Sequence, residues 1–117
     1  MDFMNVKLNR RQVGDIEVID VSGRITLGEE SNAIRNEVRH LTASGSRKIL
    51  LNLGIVSYID STGIGELVAS FRSAVKAGGS MKLLDPTKRV RHLLQMTNLN
   101  TVFDMHEDEA NAVRSFV

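Results

Sequence analysis

Along this chain the apolar positions alternate, run together or recur at helical spacing, and those three patterns predict most of its elements. Met4, Val6 and Leu8 alternate with polar residues, as on a strand with one buried face. Val13-Gly14-Asp15 supplies a turn. Ile16, Val18, Ile19 and Val21 form a second strand, so the chain opens with an antiparallel hairpin. The alternation slips between Val18 and Ile19, as a bulge would make it do. Gly28-Glu29-Glu30-Ser31-Asn32 then opens a helix with acidic residues near its positive end. Ile34, Val38 and Leu41 mark its buried face, and Ser44-Gly45-Ser46 ends it. The short apolar run Ile49-Leu50-Leu51-Asn52-Leu53 reads as a buried strand over 48–53. Ile64, Leu67, Val68, Phe71 and Val75 follow a period of 3.6 and predict a helix from about 62 to 77, broken by Gly78-Gly79.

Met81, Leu83 and Leu84 form another short strand. Asp85-Pro86 supplies an N-cap and a first helical proline ahead of Val90, Leu93 and Leu94. Thr101-Val102-Phe103 reads as a last short strand. The acidic run Glu107, Asp108 and Glu109 starts a final helix that buries Ala110, Val113 and Phe116 or Val117. The order is β-β-α-β-α-β-α-β-α. Strands alternating with helices after a hairpin imply an α/β fold around a mixed sheet, with right-handed crossovers.

Composition narrows the function classes. A chain of 117 residues is expected to be one domain, 1–117, large enough for one core. It has no cysteine, which excludes disulfides, thiolate metal sites and cysteine nucleophiles and fits a reducing compartment. The segment Met1–Asn5 does not have the form of a signal peptide, and no apolar run approaches a membrane span, so the expected location is the cytoplasm. Net charge is +1 with both signs scattered, and Trp is absent. Neither feature suits a nucleic-acid binder.

Candidate chemistry concentrates where the apolar strand stops. Asp60, Ser61, Thr62 and Gly63 follow Ser57-Tyr58-Ile59 directly and precede the helical pattern. Two hydroxyls and a carboxylate thus sit at a helix N-terminus, where unpartnered backbone N–H groups favour negative charge. Plain capping needs only one of the three polar residues. Gly63 and Gly65 each weaken a first helical turn by on the order of 1 kcal/mol relative to Ala. Excess hydroxyls and bare backbone point to a surface that another molecule approaches closely; tight internal packing is the alternative reading of the glycines, of Gly65 in particular.

Catalytic readings of the same residues fail on their own requirements. Asp-Ser-Thr-Gly has no second copy to supply an opposed carboxylate. Ile59 stands where a Gly-x-Ser-x-Gly elbow needs its first glycine. Val68 interrupts a Gly-x-Gly-x-x-Gly, and no Walker sequence is present. His40, His92 and His106 lack metal-ligand spacing. Nothing in the sequence calls for a cofactor, a metal or a catalytic residue. Lys88, Arg89, Arg91 and His92 make a small basic cluster, read as a solvated helix face or as a patch for an acidic partner.

Taken together, Leu51-Asn52-Leu53, Ser57-Tyr58-Ile59-Asp60-Ser61-Thr62-Gly63-Ile64-Gly65, Gly78-Gly79-x-Met81-x-Leu83-Leu84 and Val90-Arg91-His92-Leu93-Leu94-Gln95-Met96-Thr97-x-Leu99 resemble a STAS domain. More narrowly they resemble the bacterial anti-sigma factor antagonists, also called anti-anti-sigma factors. The resemblance spans nearly the whole chain and implies a mixed sheet with helices packed on one side. It implies phosphorylation of the serine after the motif Asp, here Ser61, by an anti-sigma factor that is also a serine kinase. Thr62 is the secondary candidate. The unphosphorylated form binds that partner and frees sigma for transcription, and a serine phosphatase resets the cycle. The implied partner surface comprises Thr26, Tyr58, Asp60, Ser61, Thr62, Gly63 and Gly65 on a protein that is a monomer when free and not itself an enzyme. One departure stands out: Gly23-Arg24-Ile25-Thr26 puts Thr26 where members often carry Asp. The alternative within the resemblance is an unphosphorylated STAS scaffold or regulatory subunit of another signalling or transport complex.

Overall fold

The computed structural model describes residues 6–26 and 32–116. Five strands and four helices follow in the order β1 (Lys7–Val13), β2 (Ile16–Ile25), α1 (Ala33–Ala43), β3 (Lys48–Ile59), α2 (Ser61–Lys76), β4 (Ser80–Leu84), α3 (Lys88–Met96), β5 (Met105–His106) and α4 (Glu109–Arg114). The strands form one sheet in the order β1-β2-β3-β4-β5. β1 pairs antiparallel with β2, and every other pairing is parallel. This is the mixed α/β architecture expected from the alternation of periods.

The strand order dictates where the helices go. From β2 to β5 each strand is laid beside the last, always in the same direction. Successive right-handed crossovers in one direction put their helices on one face. Accordingly α1, α2 and α3 share a core with Ile19, Val21, Ile49, Leu51 and Leu53. α4 follows the last strand and is no crossover, so it is free to take the opposite face, and the helices are not all packed on one side as the resemblance implied. There Ala112 and Phe116 pack on Ile16, Val18, Leu50 and Leu84.

Two covered faces account for the apparent slip in β2. Val18 and Ile19 are adjacent and both fully buried, because one faces α4 and the other faces the main core. The bulge expected between them is not there. Register shifts in the β2–β3 pairing fall further on, between Asp20 and Ser22 and between Gly23 and Arg24. The hairpin forms as expected, with Gly14 at φ 62 in a two-residue loop between paired Val13 and Ile16. β1 runs through Arg10 and Arg11, which show no apolar alternation; Arg10 pairs with Glu37 of α1 and Arg11 with Asp20 of β2. Met4 and the helix opening at Gly28–Ser31 lie outside the described residues, while Asn32 occupies the N-cap position of α1.

Four boundaries differ from the sequence reading. β3 continues past Leu53 to Ile59, because β2 keeps pairing with it through Ile25↔Ile59. α3 is capped by Thr87, whose hydroxyl accepts from the Val90 N–H at 3.3 Å, not by Asp85 with Pro86 as first helical residue. Asp85 is held at the end of β4 by donation of its N–H to the His106 carbonyl and turns the chain at φ 53. Thr101-Val102-Phe103 is a loop, and β5 is Met105–His106. Phe103 is apolar because its ring enters the core, edge-on to Phe71 at 5.4 Å. In α4 the buried position is Ala112, with Phe116 buried just past the helix end; Ala110 is exposed and Val113 half-buried, since the helix starts at Glu109 behind the Asp108 cap. Val117 lies outside the described residues.

Candidate functional site

The site is built where β3 hands over to α2, beside the end of β2. Asp60 has extended backbone and caps α2 in two ways. Its Oδ1 accepts from the Gly63 N–H at 2.9 Å, and its carbonyl accepts from the Ile64 N–H at 3.0 Å. Its own N–H donates to the Ile25 carbonyl at 3.3 Å, so the last residue of β2 is tied to the first cap of α2. Thr26, next in the chain, is thereby brought beside the helix start and is half-buried.

Capping by Asp60 leaves both hydroxyls for other uses. Ser61 is the first helical residue and is exposed; Thr62 is half-buried. The first backbone N–H groups of α2 and its dipole face outward here, so an anion on Ser61 sits in a favourable field.

The two glycines part company. A Cβ on Gly63 would lie 2.1 Å from the Ile25 carbonyl oxygen and 2.6 Å from Cγ1 of Ile59. Its smallness lets α2 close against β2, an internal packing requirement and not the low outer surface read from the sequence. A Cβ on Gly65 would meet nothing within 4 Å. Gly65 is exposed, one turn beyond Ser61 and on nearly the same helix face.

A stacked trio borders this corner. The Arg24 guanidinium lies 4.6 Å from the centroid of the Tyr58 ring, and that of Arg89 lies 4.3 Å from it. Arg89 also donates through Nε to the Ile59 carbonyl at 3.4 Å. Two cations at a helix N-terminus are mildly unfavourable, and Lys88 and Arg89 open α3. The ring and the carbonyl offset this for Arg89 and draw α3 against the end of β3. The sequence pointed to Tyr58, and to Arg89 within a basic cluster. It gave no sign that Arg24 and Arg89 meet on one ring, because the contact joins three elements. Among the described residues no group of three or more His, Asp or Glu is gathered as a metal ion would need, and no helix is long and apolar enough to cross a membrane.

The STAS domain family model matches residues 7–112. The anti-sigma-B factor antagonist of Bacillus subtilis (strain 168) is 28% identical over 111 residues, covering 95% of this chain and 100% of that protein. The solved structure of the anti-sigma factor antagonist SpoIIAA in its unphosphorylated form has a TM-score of 0.75 at 25% identity, covering 95% of this chain and 99% of that one. An anti-sigma factor antagonist from Mycobacterium paratuberculosis shares the fold with a TM-score of 0.80 at 17% identity, over 96% of this chain and 94% of that one. From the apolar strand through the Asp60-capped helix to α4, this chain belongs to the STAS domain family.

Proposed function

We propose that this protein is an anti-sigma factor antagonist whose partner binding is controlled by phosphorylation of Ser61. The observation that carries the reading is the exposed Ser61 hydroxyl at the first residue of α2, left unused because Asp60 caps the helix. The antagonist relatives support an anti-sigma factor as the partner. In this reading that partner is also the serine kinase, and a serine phosphatase resets the cycle. The protein works in the cytoplasm as a kinase substrate and monomer, not as an enzyme. Thr26, Tyr58, Asp60, Thr62 and Gly65 form the partner-facing rim around Ser61, and Arg24 and Arg89 hold the Tyr58 ring within that rim.

The physical mechanism is local. Phosphate adds about −1.5 to −2 charge at pH 7. On the free protein the N-terminus of α2 welcomes that charge by about 0.3–1 kcal/mol, and the neighbouring Asp60 opposes it. At an interface fitted to a bare hydroxyl the same group must be desolvated, at a cost of several kcal/mol where no cation meets it. Affinity therefore responds more than stability.

The test is mass spectrometry of the protein isolated from its own host, with and without phosphatase treatment. Phosphate on Ser61, lost in Ser61→Ala, is expected. Phosphate on Thr62 alone would move the acceptor by one residue, and an unmodified chain under all growth conditions would favour the scaffold role.

A further inference from the structure

The groove between α1 and α2 is cationic on both walls. Arg35 and Arg39 rise from α1, Arg72 and Lys76 from α2, around an open volume of about 350 Å³. Each pair is spaced i, i+4, roughly 6 Å along its helix. Neutralising carboxylates are scarce here. Glu66 stands 3.5 Å from Nε of Arg35, while Glu37 of α1 is turned to Arg10 on the sheet edge. Among the described residues Arg39, Arg72 and Lys76 have no carboxylate partner. Elsewhere Arg11 is matched by Asp20 and Glu109 and Lys48 by Asp15, while Lys7, Arg24, Arg47, Lys88, Arg89 and Arg114 also have no carboxylate partner among the described residues; the groove differs in facing three such cations into one space.

Between the cationic walls the floor is low. Gly65, Ala69 and Ser73 follow one another at i, i+4 and i+8 along α2. Glycine within a helix costs about 1 kcal/mol relative to Ala, and at Gly65 no neighbour inside the protein requires it. A Cβ there would meet no described atom within 4 Å, so the floor is open at this end.

We propose that this groove receives an acidic helix of a partner protein. The geometry favours a helix: a floor of small residues admits a close backbone approach, and two rows of cations at i, i+4 match acidic residues at i, i+4 on both flanks of a helix laid along it. From Gly65 to Lys76 the groove is long enough for about three helical turns. Single-stranded nucleic acid is disfavoured, because no aromatic side chain lines the groove to stack on a base; a duplex is distinguished by the test below. The groove begins one turn beyond Ser61, so an occupant extends the partner surface along α2. The inference does not depend on phosphate, and every arm of the test uses unphosphorylated protein.

The probe is a helical peptide of about 20 residues with an Ala/Leu seam flanked on both sides by Glu at i, i+4, titrated into isotope-labelled protein and followed by NMR. A second peptide replaces every Glu with Gln. Saturable shifts are expected at Gly65, Ala69 and Ser73, with the Gln peptide weaker by roughly tenfold or more. The double variant Arg72→Glu/Lys76→Glu should lose binding by a similar factor and keep an unchanged spectrum elsewhere. The milder Arg72→Gln/Lys76→Gln should fall between, and Gly65→Leu should block the floor without touching the charges. Equal binding of both peptides, shifts centred away from the groove, no saturable binding, or equally tight groove binding by a DNA oligomer of the same charge would each overturn the proposal.

Discussion

At Gly63 and Gly65 two identical residues, two positions apart, carry opposite consequences. Ala at position 63 drives a methyl into the Ile25 carbonyl and the Ile59 side chain. Gly63→Ala should therefore destabilise the fold by about 1–3 kcal/mol, as overpacking does. Gly65→Ala meets open space and gains helix propensity, so it should stabilise by about 1 kcal/mol. Urea denaturation of the two variants measures both signs at once. A stabilising Gly63→Ala would mean that the α2–β2 contact is not the one described, and a destabilising Gly65→Ala would mean that the space at Gly65 is not open. Tyr58→Leu removes the ring on which Arg24 and Arg89 both rest. It should cost about 0.5–2 kcal/mol by the same measurement and loosen α3 from the end of β3. The motif around Ser61 was legible in the sequence because abrupt polarity after an apolar run is a local signal. The separate jobs of the two glycines were not, because each depends on what lies across from it in space.

Among the elements, α4 shows how a short helix is held. Arg11 of β1 donates to both carboxylate oxygens of Asp20, at 2.8 and 3.1 Å, and to both of Glu109, at 2.5 and 3.0 Å. Asn52 adds a donor to Asp20 at 2.8 Å. At the other end Lys82 donates to the carbonyl and hydroxyl of Ser115 and lies 4.8 Å from the centroid of Phe116. Arg11 holds the carboxyls of Asp20 and Glu109 below the usual range, and Lys82 and His106 do the same for Asp104. Carboxyls with depressed folded-state pKa add stability above their unfolded pKa of about 4 and lose it as pH falls through the folded values. Stability should thus be level near neutrality and drop in acid, starting below about pH 4 to 5. In Arg11→Ala the acid slope should flatten, with a loss of about 1 kcal/mol at pH 7 because the network is partly exposed to solvent. Amide exchange in α4 should quicken first. An unchanged acid slope in that variant would remove Arg11 as the cause. The helices α1 and α2 were legible from period 3.6, and so was the hairpin from its turn. Phe103 and Asp85 misled because an apolar anchor in a loop looks like a strand residue, and an acid before proline looks like a cap. Only the β4–β5 pairing decides both.

For the whole molecule, the sheet order puts the Ser61 corner, the α3 start and the α1–α2 groove on the helix-bearing side, with α4 on the far face. Sequence periodicity made the mixed sheet and the alternation legible. It did not separate the two faces, since residues 49–51 are apolar throughout and are buried from both sides. A phosphate at position 61 lies far along the sheet from the hairpin turn at Gly14, and the core between them is closely packed. Ser61→Ala should bind an anti-sigma factor as wild type does, and Ser61→Asp should bind it at least roughly tenfold more weakly, a difference of about 1.4 kcal/mol. The most direct measurement installs phosphoserine in place of Ser61 and compares its backbone NMR spectrum and its affinity for an anti-sigma factor kinase with those of the unmodified chain. Shift changes confined to residues 24–26, 58–66 and 88–92, together with a loss of affinity of roughly tenfold or more, are expected. Unchanged affinity, or shifts spread through β1 and the start of β2, would contradict a switch that works by local charge at Ser61.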